Sequence, residues 1–201
     1  MTPTFEQIEV IHKTHAPSEF LFGLVFTHCQ IVAEIAQQLI EVNDLKVNKD
    51  FVVAACRLHD VGYYLLFDGR GVIKRGKAQI QHAIAGAATL RAEGLPEEYC
   101  NACLHHIGLG LSAEDVVSQE LPIPEKDYRP TTAEERLVMY ADKFHSKEKL
   151  SHLVFNSYEW YENFVTEKFG QHNAQKWHDL AQEFGKPNLE ILAKKYNQEI
   201  R

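Results

Sequence analysis

The apolar residues of this chain repeat at helical spacing, and the repeat carries imidazoles and carboxylates within it. Residues 17–43 place Leu21, Leu24, Val25, Ile31, Val32, Ile35 and Leu39 on one stripe, the pattern of a helix with one buried face. His28 lies in that stripe, four residues after Leu24 and four before Val32. The next apolar run, FVVAAC at 51–56, leads straight into His59 and Asp60 before Gly62. Burying an ionised carboxylate is costly unless it is paired or bound to a cation. A helix heading into the core must either end with that pair at the surface or deliver it to a partner.

Helical text continues through most of the chain. A helix is predicted from about Lys49 to Asp60. The segment FDGRGVIKRGK, 67–77, holds three glycines and four basic residues and reads as a loop. A helix over 79–93 contains the small-residue run HAIAGAA, with Gly94 as its C′ residue. Pro96 and two acids open the next, PEEYCNACLHH. Ser112 is placed to cap a short helix in SAEDVVSQE. LPIPEKDYRP, with three prolines, reads as a crossing loop. Thr132 and Glu135 predict a capping box at the start of a long helix, AEERLVMYADKFHSKEKL, 133–150. From about 155 the text is amphipathic helix broken at Gly170, Gly185 and Pro187. No alternating run is long enough to predict a sheet. The expected fold class is all-α: a compact multi-helix domain over 1–155, with a helical extension over 156–201.

A net charge of −7 argues against an extended nucleic-acid surface, which needs clustered Lys and Arg. It leaves room for a small phosphorylated substrate. The N-terminal MTPTFEQIEV lacks a basic start followed by an apolar core, so no signal peptide is predicted. The most apolar stretch, residues 20–40, contains His28, Gln30, Glu34, Gln37 and Gln38, too polar for a membrane span. The expected setting is cytoplasmic, where four cysteines are thiols. Cys100 and Cys103 form a lone C-x-x-C at helical spacing, read as small core fillers.

Several helices each deliver inward-facing ligand-type residues: His28, His59, His82, His105 or His106, and Asp142, four residues after Val138. One histidine on an apolar face is usually a hydrogen-bonded core residue. Five such positions on separate helices of one small domain are hard to satisfy by ordinary hydrogen bonds, and a metal centre satisfies them together. Mixed imidazole and carboxylate donors suit Mn, Fe, Ni, Zn or Mg rather than a thiolate site. A second His-Asp pair, His178-Asp179, lies in a charged helix and reads as surface. His12, His15, His145, His152 and His172 carry no such signal, although His145 follows Asp142 by one turn.

His28, then His59-Asp60, then Asp142 resembles the H…HD…D signature of the HD-domain metal-dependent phosphohydrolase superfamily. LHDVG is similar to its His-Asp-Ile-Gly variant. The segments QHAIAGAATLRAEGLPEEY and HHIGLGLSAEDVVSQELPIPEKDYRPTTAEERLVMYADK extend the likeness over roughly 20–150, toward a branch of small bacterial and archaeal HDIG-type proteins. The resemblance implies packed helices around a metal site. It implies His28, His59, Asp60 and Asp142 as ligands of a first divalent ion, with His82 and His106 adding a second and Asp60 bridging both. His106 is chosen over His105 because it directly precedes Ile107-Gly108. Tyr63 follows Gly62 where many relatives have lysine.

The function implied is hydrolysis of a phosphomonoester or phosphodiester, nucleotide-like, by a hydroxide activated on one or two divalent ions. Asp60 is the catalytic carboxylate. His105 and Lys143 are further candidates for protonating the leaving group or touching phosphate. Arg70, Lys74, Arg75 and Lys77 are candidate phosphate clamps. The competing readings are a diiron oxygenase on the same ligands, and an inactive nucleotide-binding sensor. A homodimer is compatible with each.

Overall fold

In the computed structural model, which describes residues 2–67, 73, 76–149 and 152–201, the stripe over 17–43 becomes a 25-residue helix, α2 (Glu19–Asn43). The Ser18 hydroxyl caps it by accepting the Leu21 N–H at 3.2 Å. Asp44 ends it in the left-handed conformation, φ 48°. All seven stripe residues are buried, so α2 is the hub of the core. Helices α1 (Phe5–His15), α3 (Lys49–Leu58) and α7 (Ala133–Asp142) pack against it. By length and composition α2 could also cross a bilayer, but 56% of its most apolar window is buried inside this fold.

The chain leaves α3 through a 3₁₀ segment, Val61–Leu66, whose backbone lies directly on α4 (Gln81–Ala92). A Cβ on Gly62 would stand 2.0 Å from the His82 carbonyl oxygen and 2.2 Å from the Gly86 nitrogen. A Cβ on Gly86 would stand 2.5 Å from Cys103 Sγ, on α5 (Glu97–His105). The small-residue run of α4 is thus what lets three backbones approach and brings His59, His82 and His106 close. Gly94 follows α4 with φ +76°. Cys100 and Cys103 are buried free thiols. A short helix, α6 (Ala113–Ser118), starts on a reciprocal Ser112–Asp115 capping box.

The long helix predicted over 133–150 stops at Asp142. A hairpin follows: β1 (His145–Lys149) pairs antiparallel with β2 (His152–Phe155), His145 opposite Phe155. The reason is packing. Asp142, Lys143, Phe144 and His145 all turn inward, which successive residues 100° apart on one helix cannot do. Asn156 holds the break, donating its side-chain amide to the Lys143 carbonyl at 2.7 Å and its N–H to that of Phe144 at 2.9 Å. The Thr132–Glu135 capping box is half formed. Thr132 accepts the Glu135 N–H, but the Glu135 carboxylate accepts from the Thr131 N–H instead, at 2.8 Å.

The C-terminal segment folds into α8 (Tyr158–Phe169), α9 (Gln171–Phe184) and α10 (Leu189–Tyr196). Trp177 of α9 is fully buried against Tyr140 and Phe144 (ring centroids 4.8 and 5.2 Å) and stacks on Tyr158. Trp177, Leu180, Phe184 and Leu192 belong to the same hydrophobic cluster as the stripe of α2. The last residues return beside the hairpin: Phe155 N–H donates to the Glu199 carbonyl, and Arg201 N–H to that of Phe155.

Candidate metal centre

His59 and Asp60 follow the last residue of α3, where the helix gives way to the 3₁₀ segment. Both are buried, so the pair does not escape to solvent. Asp60 lines a cavity of about 280 Å³ together with His28, His82, His106 and Asp142, and His59 lies directly behind it, its Nε2 3.2 Å from Asp142 Oδ1. His28, His82, His106 and Asp142 each come from a different place: the middle of α2, the first turn of α4, the residue after α5, and the last residue of α7.

Asp60 looks two ways. Its Oδ2 lies 3.4 Å from His28 Nε2 and 3.6 Å from His59 Nε2. Asp142 Oδ1 closes that group at 3.1 and 3.2 Å from the same two nitrogens. Asp60 Oδ1 faces the other pair, 3.2 Å from His82 Nε2 and 3.7 Å from His106 Nε2. Three sets of donor atoms, His28–His59–Asp60, His59–His106–Asp142 and Asp60–His82–His106, are each within 4.8 Å of one another.

The rings are set by contacts behind them. Nδ1 of His59, His82 and His106 lies 2.6–2.7 Å from the carbonyl oxygen three residues earlier, of Cys56, Gln79 and Cys103. A carbonyl only accepts, so each Nδ1 carries a proton and each Nε2 is the nitrogen turned inward. Burial opposes charge on His59, but Asp60 and Asp142 beside it hold its pKa well above the usual imidazole value. His28 is fixed by a longer chain. Gln198 Oε1 accepts from His145 Nε2 at 2.8 Å. His145 Nδ1 then accepts from His28 Nδ1 at 2.8 Å, and His28 Nε2 is left facing the cavity. Burial pushes His28 and His106 down to about 4 and lowers His82, so these rings are neutral near pH 7.

That donor set fits a cation. His82 Nε2 and His106 Nε2 face each other at 2.8 Å as two lone pairs, and His28 Nε2 lies 3.3 Å from His59 Nε2. Among the described residues, Asp60 Oδ1 is the buried side-chain oxygen with no hydrogen-bond donor. Converging imidazole lone pairs around two carboxylates are what a divalent ion of the Mn, Fe, Ni or Zn type accepts.

Among the described residues, two lysines reach the cavity. Lys147 of β1 is bonded to Asp60 Oδ2 and lies over the Tyr63 ring, 5.0 Å from its centroid. Lys143 donates to Asp142 Oδ2 at 2.7 Å and to the His106 carbonyl at 2.8 Å. Burial opposes ionisation of Asp60 and Asp142, yet Lys147 and Lys143 beside them, with the imidazoles, hold both carboxyls well below the usual range.

The structure thus brings together His28, His59, Asp60, His82, His106, Asp142 and Lys143. It places His105 elsewhere: its Nδ1 lies 2.9 Å from Glu135 Oε2, at the start of α7 and outside the cavity lining. Lys77 is exposed and donates to the Gln119 carbonyl at 2.7 Å. Arg70, Lys74 and Arg75 lie outside the described residues. Sequence reasoning missed Lys147, His145 and Gln198. The one available signal was the spacing of His145 from Asp142; nothing local marked the other two.

A family model described as HD domain matches residues 25–147, well over half of the chain. Among curated proteins, the chain is 29% identical over 136 residues to a tRNA (cytidine(56)-2'-O)-methyltransferase of Picrophilus torridus, covering 68% of this chain and 36% of that one. It is 34% identical over 122 residues to an uncharacterized protein of Methanocaldococcus jannaschii, covering 59% of this chain and 64% of that one. The chain therefore spans from about a third to just under two thirds of these relatives. Among solved structures, the HD domain of the L. monocytogenes phosphodiesterase PgpH superposes with a TM-score of 0.53 at 17% identity, over 94% of this chain and 98% of that one. The same domain in complex with cyclic-di-AMP superposes at 0.52 and 18% identity, over 90% and 96%. At these identities the likeness is one of fold.

Proposed function

The chain belongs to the HD-domain family, and from that premise we propose that it is a metal-dependent phosphohydrolase acting on a nucleotide-like phosphomonoester or phosphodiester. One observation carries the reading: Asp60 is shared between two groups of inward-facing imidazoles, and its Oδ1 has no donor of its own among the described residues. His28, His59, Asp60 and Asp142 would hold one divalent ion, and Asp60, His82 and His106 a second. Ions bound there would supply an activated water and neutralise phosphate charge.

The chain's own residues do the rest. Lys143 and Lys147 both line the cavity and offer ammonium groups to the non-bridging oxygens of a phosphate. Either can offset charge on the departing oxygen. The backbone contacts behind His59, His82 and His106 fix the rings before substrate arrives. The fold likeness to a phosphodiesterase domain, and the cyclic-di-AMP bound to that protein, support a nucleotide-like ligand here. The diiron-oxygenase reading uses the same ligands and is separated from this one by metal identity.

The test is metal content of the purified chain beside Asp60→Ala, with hydrolysis of bis(p-nitrophenyl) phosphate and a panel of cyclic and linear nucleotides. The expected result is one to two ions per chain, lost with Asp60, and turnover that follows the metal. A chain that binds no metal on titration overturns the reading. A site that takes up iron and hydrolyses none of the panel would move the assignment to the oxygenase.

A further inference from the structure

A second cavity adjoins the first. It has about 520 Å³ of space, and Ile107 and Gly108 line both. Ile107 directly follows His106, so a group held at the metal centre has this cleft as its neighbour across a ridge of two residues. The walls are apolar: Ile80, Leu109, Leu121, and Tyr161 and Val165 of α8. The rim is polar and partly charged, with Lys77, Asp115, Gln119, Lys168 and Asn173. Gly108 and Gly110 have φ of +55° and +81°, so the IGLG loop turns sharply there and brings its backbone to the cleft wall.

Resting on the hydrolase reading above, we infer that this cleft binds the organic part of the substrate, and that this part is a heteroaromatic base. The volume is in the range that buries a small organic ligand, while a bare phosphate would use only the metal cavity. Apolar walls with an aromatic side chain suit the faces of a flat ring. Amides at the rim suit its polar edge, which an acyl chain would leave unmatched. The far wall comes from α8 and α9, beyond the matched HD region of 25–147. The C-terminal segment is then the part of the chain that selects the substrate, while the HD core handles the phosphate.

The test separates this inference from the hydrolase reading by using ligands without phosphate. Adenosine, guanosine, cytidine and uridine are titrated calorimetrically into the full-length chain and into Val165→Trp, which fills the cleft. Gln119→Ala, at the half-exposed rim, serves if the buried Val165 variant misfolds. Metal content and bis(p-nitrophenyl) phosphate hydrolysis are measured on all three proteins. The expected result is binding of at least one nucleoside, weakened tenfold or more by Val165→Trp and several-fold by Gln119→Ala, with metal content unchanged. Binding of no nucleoside by a chain that hydrolyses the phosphodiester would overturn the inference and leave the hydrolase reading standing. Nucleoside binding insensitive to both variants would overturn it as well. Nucleoside binding lost in the variants, in a chain with no hydrolase activity, would support the cleft and count against the hydrolase.

Discussion

The imidazoles of His28 and His145 meet through their Nδ1 atoms at 2.8 Å. One of those nitrogens must donate and the other accept. Gln198 decides which, because its amide oxygen, 2.8 Å from His145 Nε2, requires the proton there. The orientation of the cavity-facing His28 ring on α2 is thereby set by Gln198, 170 positions away in sequence.

Replacing Gln198 should therefore loosen metal binding without removing a ligand. Gln198→Leu frees His145 to carry its proton on Nδ1, which would turn the His28 lone pair away from the cavity. The expected loss is about 10- to 100-fold in metal affinity, the usual effect of losing such a supporting contact. Gln198→Glu keeps an acceptor and should restore most of it. Metal titration of the three proteins checks this. Equal affinities would show that His28 holds its orientation unaided.

Lys147 is bonded to Asp60 Oδ2, an oxygen of the carboxylate that the proposed metal site would use. Both side chains are buried, at 9% and 4% exposure. Lys147→Met keeps the length and removes the charge. Breaking a buried ion pair by removing one partner costs roughly 3 kcal/mol or more, so the metal-free protein should unfold at lower denaturant. With the ammonium gone, metal should bind tighter, and added metal should recover the lost stability. Denaturant melts with and without Mn²⁺ read both effects. Unchanged metal-free stability would mean that the pair is broken in solution.

Most of the helices were legible from sequence, and so were five inward positions, His28, His59, His82, His105 or His106, and Asp142, because each obeys a local rule; the choice of His106 came from the family resemblance. His28 sits in a 3.6-residue stripe, and His59 and Asp60 follow an apolar run before a glycine. The hairpin was not legible. HSKEK and HLVF have weak strand patterns, and the helix breaks at Asp142 because Asn156, 14 residues on, captures the carbonyls of Lys143 and Phe144. Lys147 is hidden for the same reason: read as helix, it belongs with a solvated run of lysines. His105 and His106 are adjacent ligand-type residues that sequence cannot tell apart by chemistry. The α5 C-terminus turns one into the cavity and leaves the other on Glu135.

Gly62 shows how closely the site depends on backbone contact. Its Cβ would collide with two backbone atoms of α4, at 2.0 and 2.2 Å, and neither can move without displacing His82. Gly62→Ala should cost about 3 kcal/mol or more, the upper range for overpacking, and should weaken metal binding. Gly23 is the control. It lies in α2 with nothing within 4 Å of its Cβ position, so Gly23→Ala should stabilise by roughly 0.5–1 kcal/mol through helix propensity. Chemical denaturation of both variants gives the comparison. A mild Gly62→Ala would mean that α4 can slide away from the 3₁₀ segment.

His12, which does not line the His/Asp cavity, gives the fold a defined acid sensitivity. It is fully buried, with Nε2 donating to the Arg57 carbonyl and Nδ1 accepting from the Tyr64 hydroxyl, both at 2.8 Å. Both bonds use the neutral ring, and burial pushes its pKa down to about 4. In the unfolded chain it titrates near 6.5. Between those values the unfolded state binds the extra proton, so stability rises with pH. The contribution of neutral His12 is fully present above about 6.5 and is lost as the pH falls toward 4. His28 and His106 add acid sensitivity of their own, so the informative quantity is the difference between wild type and His12→Gln under the same metal conditions. His12→Gln should destabilise clearly at pH 7.5. By pH 4.5 that difference should shrink by about 2–3 kcal/mol, because only the wild type carries this proton penalty. Denaturation of both proteins at the two pH values measures it. An equal difference at both would mean that His12 titrates normally in the folded protein and that its pocket admits the charge.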